Sequence, residues 1–472
     1  MSGRGERPPG SAPRRRGGAP PAPGSAPTAP ASREFFSVRT VSEALTGFRP
    51  ARRTAVESVG PGEALGRVPA EPLSAPHSLP GFARATVDGF AVRAADTYGA
   101  SEGLPSYLDL AGEMRMGEAP TIEVRPGAAV AIATGAPLPA GSDAVVKVEH
   151  TQTATAELLE VLRPATPGEG MVRADEDAVA GAELVPAGRP LRPQDLGMLA
   201  AAGLSDIPVK ARPRVTIVST GDELVPPYTP DLPPGRVRDA TAPALAALVR
   251  DAGGEPHFAG IVPDDREALA ATLRAALKGV RPSESPPLKG SDPLSRERST
   301  LPQGSDALEG LIPESDVVVV SAGSSVGARD ETAAAIASLG EPGIWCHGLA
   351  LRPGKPTLLA DCGGVPVIGL PGNPRSALVV FRLIGMPIVR QVGGCTAPPP
   401  EPSVRARLER DLPSAAGRLD VVQVRVAGAA AIPLFGSSSL LSILTAADGY
   451  LVVPEAATGL AAGSEVDVTL YR

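Results

Sequence analysis

Cysteine and histidine are scarce in this sequence of 472 residues. The three cysteines, Cys346, Cys362 and Cys395, show no CxxC spacing, and the four histidines form neither an HxxxH nor an HExxH pattern. Disulfide frameworks and zinc sites depend on such closely spaced residues. The spacing therefore excludes both kinds of site, and unpaired cysteines fit a reducing compartment.

Long apolar runs are also absent. The longest uncharged stretch, 426–447, contains Pro433, two glycines and four serines, which is typical of strands and turns and not of a membrane-spanning helix. No apolar segment follows the arginine cluster at 14–16, so we do not expect a signal peptide. These absences predict a cytoplasmic protein without membrane contact.

The chain has no overall excess of positive charge. Its formal net charge is −7, and a local charge of +5 in residues 1–33 leaves −12 for the remainder. An acidic surface repels nucleic acids and anionic membranes, so we expect neither as a partner. Any anionic ligand must be held locally by cations, backbone N–H groups or a metal ion.

Changes in composition along the chain predict a multidomain α/β protein. Residues 1–33 are rich in Pro, Gly and Arg and are predicted to form a disordered tail. The pattern from 35 to 65 is helical, and short β-type runs follow it. The predicted domains are a helical and strand domain (34–74 and 165–208), an inserted β-rich domain (75–164), an α/β domain (209–394) and a small C-terminal β domain (395–472).

Residues 213–394 alternate between buried-strand and amphipathic-helix patterns. Apolar runs such as RVTIVS (214–219) and DVVVVS (316–321) are each followed by a helical pattern. This alternation predicts a parallel sheet with helices on both faces. The interval 281–312 is rich in Pro, Ser, Gly and charge, and it is predicted to be a disordered insertion.

Three polar, glycine-rich loops follow strands of this predicted sheet, at 219–223, 321–330 and 369–374. Ligand sites of open parallel sheets lie at the carboxyl ends of the strands. Backbone N–H groups and hydroxyls in such loops bind phosphates and other oxyanions. Asp222 and Asp330 lie in two of these loops, and a divalent cation would relieve the repulsion between carboxylate and anion.

Two further cations lie in the short loop Arg352-Pro-Gly-Lys355. A guanidinium and an ammonium group suit a phosphate or another oxyanion. None of these loops has the spacing of a Walker A motif or a dinucleotide fingerprint. Any one of them alone is more typical of a turn or a helix cap, and their combination favours a ligand that bears phosphate.

Eight stretches, taken in order, resemble the MoeA family of molybdopterin molybdenumtransferases, a family that includes the E domain of gephyrin. The resemblance runs from about Val38 to Leu470, apart from the 281–312 insertion. The matching stretches are ATVDGFAV (85–92), ATGAPLPAGSDAVV (133–146), VRADEDAVAGAELVPAG (172–188), STGDEL (219–224), SAGSSVGARD (321–330), RPGKP (352–356), GLPGNPRSA (369–377) and GSSSLLSILTAADGYLVVP (436–454).

This resemblance implies a fold, a reaction and partners. The fold is a helical and strand domain with an inserted β-domain, a molybdopterin-binding α/β domain and a C-terminal β-barrel-like domain. The implied reaction inserts molybdate into adenylylated molybdopterin, depends on Mg²⁺ or a similar divalent cation, and releases AMP. Family members form elongated homodimers with a site between the α/β domain of one protomer and the inserted domain of the other. Transient contact with the molybdopterin adenylyltransferase is also expected.

The resemblance assigns roles to individual residues. The predicted catalytic residues are Asp88, Glu176, Asp222, Asp330, Arg352 and Lys355, of which Asp222 and Asp330 are also predicted metal ligands. The predicted pterin or phosphate contacts are Thr134, Gly135, Ser219, Thr220, Gly221, Ser321, Gly323, Ser325, Gly327, Pro371, Gly372, Asn373 and Ser376. Arg418 and the serine-rich run 437–442 resemble a region that contributes to the site.

Each assignment has a plainer structural alternative. Asp88 suits a simple Asp-Gly turn, and Thr134 a turn or a cap. Glu176 suits a solvated loop, and Asn373 a helix cap.

The sequence also departs from the family pattern. Ala322, Ser324, Glu331, Thr241, Asp175 and Arg375 differ from the residues that are usual at their positions. These departures keep open an alternative function, a catalytically weakened molybdopterin-binding or scaffold paralogue. An adenylyltransferase acting one step earlier is disfavoured, because that class needs only the α/β unit.

Overall fold

The structure is a computed structural model that describes residues 38–279, 314–322 and 326–471, with the backbone alone for 326–330. The predicted tail, 1–33, and the predicted insertion, 281–312, lie outside these residues. Along the described part of the chain, no helix is long and apolar enough to cross a membrane.

A six-stranded mixed sheet forms the centre of the α/β domain. Its strands Arg214–Thr220 and Val317–Ser321 are buried almost throughout because helices cover both faces, which accounts for their continuous apolar sequence. In spatial order the strands are Glu255–Val262, Arg214–Thr220, Val317–Ser321, Val365–Leu370, Leu358–Cys362 and Pro342–His347.

The first four strands of this sheet are parallel, as predicted, and Leu358–Cys362 runs antiparallel to both of its neighbours, Val365–Leu370 and Pro342–His347. The chain reverses between Leu358–Cys362 and Val365–Leu370 at Gly363 and Gly364, whose φ angles are +65° and +91°. Glycine adopts positive φ without steric cost, and a Gly-Gly pair is a typical hairpin signal. This hairpin enlarges the sheet beyond the predicted βα alternation.

Helices pack on both faces of the central sheet. Leu245 and Phe381 belong to the core on one face, and Leu273 and Ile336 to the core on the other. The helices are Thr241–Asp251, Arg266–Lys278, Val326–Ala337, Pro374–Val380 and Met386–Val392, and the π-helical turn Phe381–Gly385 joins the last two.

The predicted helix over 35–65 is wrong in its extent. The structure has a short helix, Val41–Gly47, and Pro50 soon after it disfavours helical backbone at the residue before it. The chain then forms the strand Val56–Val59, which pairs with Ile207–Lys210. Further elements of this domain are the paired strands Leu73–Ser74 and Glu183–Val185 and the helix Pro193–Ala201.

A second six-stranded sheet lies within the predicted inserted domain. A small pair, Arg84–Ala85 with Met171–Val172, lies outside this sheet, so β-structure continues past residue 164. In spatial order the strands of the sheet are Ala144–Lys147, Gly89–Val92, Ala128–Ile132, Ser106–Met114, Leu158–Val161 and Thr151–Thr155.

The C-terminal region forms a closed five-stranded barrel. The barrel is closed because the strand Leu419–Ala427 pairs with Gly449–Val453 as well as with Ala430–Pro433. The short strand Leu351–Arg352 of the α/β domain pairs with the outer end of Leu419–Ala427. The barrel strands are Ser403–Leu408, Leu419–Ala427, Ala430–Pro433, Gly449–Val453 and Glu465–Leu470, and a short helix, Ser442–Thr445, accompanies them.

Candidate functional site

A cleft of about 790 Å³ lies where the α/β domain meets the C-terminal barrel. We call it the interdomain cleft. Its lining residues are Val38 and members of the segments 349–356, 371–376, 415–418 and 436–438.

Four cationic side chains line the interdomain cleft: Arg352, Lys355, Arg375 and Arg418. Within the described part of the chain, none of the lining residues is acidic. The nearby carboxylate of Asp420, only 6% exposed, accepts a hydrogen bond of 2.8 Å from Arg418 Nε and lies 3.5 Å from Arg352 Nη1. One buried carboxylate thus faces two guanidinium groups, and the cleft keeps an excess of positive charge that suits an oxyanion.

Arg375 adds a partly buried cation to the lining of this cleft. Its Nε has no hydrogen-bond partner among the described residues. Burial lowers the pKa of Arg375 below its usual value, and the charge of Arg352 lowers it further. A bound oxyanion would offset the repulsion between the charges of Arg352 and Arg375. The sequence analysis registered Arg375 only as a departure from the family pattern.

The backbone holds the cationic loop in place. The N–H groups of Leu349 and Thr357 both donate to the carbonyl oxygen of Lys355, each at 2.9 Å. The Lys355 side chain is exposed, so its ammonium group extends into solvent from a backbone with fixed partners.

The start of the helix Pro374–Val380 contributes the predicted contacts Pro371, Asn373 and Ser376 to the cleft. Asn373 precedes the helix but makes no side-chain hydrogen bond to it. Its amide is therefore not used as a cap, which was the alternative to ligand contact. The N–H of Arg375 donates to the carbonyl oxygen of Ser438 at 3.2 Å and ties the serine-rich barrel segment to this helix.

Ser219, a predicted contact residue near the end of the strand Arg214–Thr220, hydrogen-bonds within the protein. The hydroxyl of Ser219 donates to Asp239 Oδ2 at 2.6 Å, and Asp239 Oδ1 accepts from the N–H groups of Thr241 and Ala242. Ser219 is therefore engaged in holding the carboxylate that caps the next helix. Its predicted contact with the pterin stays a prediction.

Asp222 lies in a group of carboxylates at the carboxyl ends of two neighbouring strands. Partial burial raises the pKa of Asp264 above its usual value, and the charges of Glu223 and Asp222 raise it further. Hydrogen bonds from the Thr220 hydroxyl and the Asp222 N–H act in the opposite direction. Asp264 follows the strand Glu255–Val262, and the sequence analysis missed both Asp264 and Glu223. The rule that sites lie at the carboxyl ends of parallel strands would have drawn attention to Asp264.

The predicted loop 321–330 is described only in part. Ser321, the last residue of its strand, is buried. Gly323 and Ser325 lie outside the described residues, and Gly327 and Asp330 are described by their backbone alone. The roles predicted for these residues stay predictions.

Oxygen donors at this edge suit a hard divalent cation. Mg²⁺ typically uses one or two carboxylates together with waters and substrate phosphates. Asp222 and Asp264 offer such carboxylates. Over the residues that the structure describes, no three His, Cys, Asp or Glu side chains come together closely enough to hold a metal ion by themselves. The carboxylates of Asp222 and Asp264 fit a metal ion that shares its remaining ligands with substrate and water.

Asp88 immediately precedes the strand Gly89–Val92, and two hydrogen bonds hold its side chain. Its Oδ1 accepts hydrogen bonds from the backbone N–H and the hydroxyl of Thr134, at 2.7 and 2.9 Å. These two bonds lower the pKa of Asp88 below its usual value, so the carboxylate is ionised at neutral pH. The structure thus brings together two residues that were predicted separately, Asp88 and Thr134.

Gly89 follows Asp88 because the neighbouring strand leaves no room for a side chain. A Cβ at this position would overlap the carbonyl oxygen of Val146. We expect Gly89→Ala to lower the free energy of unfolding by about 1–3 kcal/mol, measured as a lower urea midpoint. Gly103→Ala, at a glycine with open space around it, is the matched control. Equal midpoints for the two variants would contradict this account.

Glu176 lies in a tight loop of the same region. Its Oε2 accepts the N–H of Arg173 at 2.8 Å, and the side chain is exposed. The preceding residue, Asp175, has a φ of +64°, a conformation that Asp tolerates better than most residues. Asp175, one of the departures from the family pattern, therefore accommodates the turn that presents Glu176.

The inserted sheet and the interdomain cleft are separate sites within one chain. No described residue from 84–178 lines the cleft. Glu176 lines a different depression together with Gly168, Met171, Arg173 and Asp175. The predicted catalytic residues therefore form more than one group in a single chain.

Three family models match the chain in succession. They are described as the MoeA N-terminal region (domain I and II), matching residues 38–203, a probable molybdopterin binding domain, matching 216–281 and 300–391, and the MoeA C-terminal region (domain IV), matching 405–471.

Curated proteins and solved structures resemble the chain over most of its length. Molybdopterin molybdenumtransferase 2 of Mycobacterium tuberculosis is 33% identical over 437 residues, which cover 91% of this chain and 97% of that protein. Molybdopterin molybdenumtransferase of Bacillus subtilis is 30% identical, with coverage of 87% and 88%. A crystal structure of the molybdopterin biosynthesis MoeA protein of Pyrococcus horikoshii is 33% identical, with a TM-score of 0.71 and coverage of 92% and 99%.

Proposed function

We propose a function from the premise that the chain belongs to the MoeA family of molybdopterin molybdenumtransferases. The interdomain cleft binds the oxyanions of this family's reaction. The chain is an enzyme of molybdenum cofactor biosynthesis. The proposed reaction takes adenylylated molybdopterin and molybdate, inserts molybdenum into the dithiolene and releases AMP. An adenylyl-transferring enzyme must supply this substrate, and we infer transient contact with it.

One observation carries this proposal: Arg352, Lys355, Arg375 and Arg418 converge on one cleft. Molybdate and phosphate are tetrahedral oxyanions, and guanidinium and ammonium groups bind them through charge-assisted hydrogen bonds. The chain beyond residue 33 carries a net charge of −12. Attraction of an anion must therefore be local, and the cleft supplies it.

We assign the carboxylates near the end of Arg214–Thr220 to a divalent cation. When bound, Mg²⁺ would neutralise phosphate charge and polarise the phosphoanhydride bond. Asp222 and Asp264 would hold it, together with Asp330, which the resemblance predicts as a metal ligand. The cations of the interdomain cleft bind and orient molybdate.

We further propose a homodimer in which each site is shared. Asp88 and Glu176 do not line the cleft of their own chain, although the resemblance predicts both as catalytic. A second protomer could bring its inserted sheet to this cleft. Asp88, ionised and held by Thr134, would then hydrogen-bond to a donor on the pterin.

The test is a turnover assay with the purified full-length chain. We expect molybdate to stimulate AMP release from adenylylated molybdopterin in the presence of Mg²⁺. Asp222→Asn and Asp330→Asn should each reduce this release by about 10²-fold or more. Asp109→Asn, at an exposed aspartate of the inserted sheet, is the matched control and should retain full activity.

Tight binding of adenylylated molybdopterin without AMP release would contradict the enzymatic proposal. That outcome would favour the binding or scaffold paralogue. Loss of activity in Asp109→Asn to the same degree as in Asp222→Asn would contradict the assigned role of Asp222.

A further inference from the structure

A second cavity lies where the C-terminal ends of two helices, Thr241–Asp251 and Met386–Val392, meet the chain segments 65–68 and 210–213. Its volume is about 340 Å³, which is within the usual range for small-molecule sites. It shares no lining residue with the interdomain cleft. We call it the basic pocket.

The basic pocket is separated from the candidate metal site by the length of a strand. Arg212 and Pro213 line the pocket immediately before the strand Arg214–Thr220, and Asp222 follows the other end of that strand. At about 3.3 Å per residue, this strand places its two ends about 20 Å apart. A ligand of the basic pocket would therefore bind apart from the proposed metal site.

Four cationic side chains that line the basic pocket have no ionic partner. Among the described residues, none of the four forms a salt bridge or a side-chain hydrogen bond. A fifth cation, Arg67, already pairs with Glu57. Within the described part of the lining, the only acidic residue is Asp251, so four positive charges against one negative charge leave an excess of three. The four cations are Lys210, Arg212, Arg250 and Arg390.

Packing and backbone contacts place part of this charge. The stem of Lys210 passes over Gly394, where a Cβ would lie 2.9 Å from Lys210 Cγ. The Nη2 of Arg67, a side chain only 8% exposed, donates to the carbonyl oxygen of Lys210 at 2.9 Å. Lys210 and Arg390 are half-buried, whereas Arg212 and Arg250 are exposed. The pocket thus combines two cations set in its wall with two that solvent reaches freely.

Helix polarity accounts for only two of the four cations. Arg250 and Arg390 lie in the last turns of their helices, where the helix dipole favours positive charge. Lys210 ends a strand, and Arg212 lies in the loop that follows it. The chain beyond residue 33 carries a net charge of −12. A local excess of positive charge in such a chain is self-repelling, and a bound anion would relieve the repulsion.

We propose that the basic pocket binds a small molecule that bears a diphosphate group. Guanidinium and ammonium groups bind phosphate oxygens through charge-assisted hydrogen bonds. A single phosphate carries at most about two negative charges, fewer than the excess of three that the pocket offers. The apolar side chains of Leu65 and Pro190 also line the pocket, so the diphosphate group of a nucleotide fits it as well as free diphosphate does.

The test is isothermal titration calorimetry of the full-length chain with pyrophosphate, ADP and inorganic phosphate. EDTA is present, so that no metal ion carries these ligands to the carboxylates. We expect pyrophosphate to bind about tenfold or more tightly than phosphate, because additional charge-assisted hydrogen bonds form. Tighter binding of ADP than of pyrophosphate would identify a nucleotide as the source of the group, and equal or weaker binding would identify free diphosphate.

Substitutions assign this binding to the basic pocket. Arg212→Gln combined with Arg390→Gln should weaken pyrophosphate binding by about tenfold or more, and the melting temperature without ligand shows whether the fold is intact. Arg212→Gln alone, at an exposed position, should weaken it in the same direction. Arg407→Gln, at an exposed arginine that lines neither cavity, is the matched control. Lys355→Met should keep the binding event that the double variant loses.

Three results would overturn the proposal. They are equal binding of phosphate and pyrophosphate to the unmodified chain, unchanged pyrophosphate binding in the double variant, and loss of the same binding event in Lys355→Met, which would assign it to the interdomain cleft. The double variant should release AMP at the rate of the unmodified chain, because neither arginine lines that cleft. A chain without turnover could still bind pyrophosphate here, so failure of the proposed function would be seen separately.

Discussion

Replacement of Lys355 by Met is expected to lower kcat/KM for molybdate-dependent AMP release by about 10²–10³-fold. Lys355 is one of four cations of the interdomain cleft, and its loop is held by backbone hydrogen bonds. An ammonium group carried by such a loop stabilises an oxyanion through charge-assisted hydrogen bonds. Methionine keeps an unbranched side chain that is slightly shorter than that of lysine, and it removes the charge and the donors.

The matched control for this experiment is Lys278→Met. Lys278 is also exposed, in the last turn of the helix Arg266–Lys278, and lies outside the cleft. It should retain full turnover with a small loss of stability. Calorimetric titration of molybdate separates binding from chemistry, because Lys355→Met should also weaken molybdate binding. Full activity of Lys355→Met would remove the interdomain cleft from the mechanism.

A dimer of one Asp88→Asn chain and one Lys355→Met chain is expected to recover about half of the unmodified activity, although each variant alone is inactive. If the site joins the cleft of one protomer to the inserted sheet of the other, one of the two sites in this dimer is intact. Two different affinity tags on co-expressed chains allow the mixed dimer to be isolated, and AMP release measures its activity.

The matched control reverses the arrangement. One chain carries both Asp88→Asn and Lys355→Met, and its partner is unmodified. A shared site then has one defect in each of its two copies, and the dimer should be inactive. A site formed within one chain would give the opposite pattern, with activity in the control and none in the first dimer. The pair of dimers therefore distinguishes the two arrangements directly.

Local patterns predicted much of the fold. The apolar runs that became Arg214–Thr220 and Val317–Ser321 could be recognised because a strand buried on both faces has no polar alternation. The helix predicted over 35–65 was wrong in its extent because of a long-range contact. Val56–Val59 pairs with a strand about 150 residues away, and local spacing cannot show such a contact.

The candidate site was predicted less completely, because several of its features depend on contacts across the chain. Arg352 and Lys355 were identified from their own loop. The buried carboxylate of Asp420 could not be identified in this way, since it meets Arg352 only where the barrel joins the α/β domain. The burial of Arg375 Nε likewise depends on the fold around it.

The pairing of Leu351–Arg352 with the barrel strand Leu419–Ala427 has a consequence for ligand entry. Because Asp420 on that strand contacts both Arg352 and Arg418, these two guanidinium groups are positioned before an anion arrives. Little conformational entropy is then lost on binding. The two regions would act as one rigid receptor, and an α/β unit cut from its barrel would lose the counter-ion that positions its own arginine.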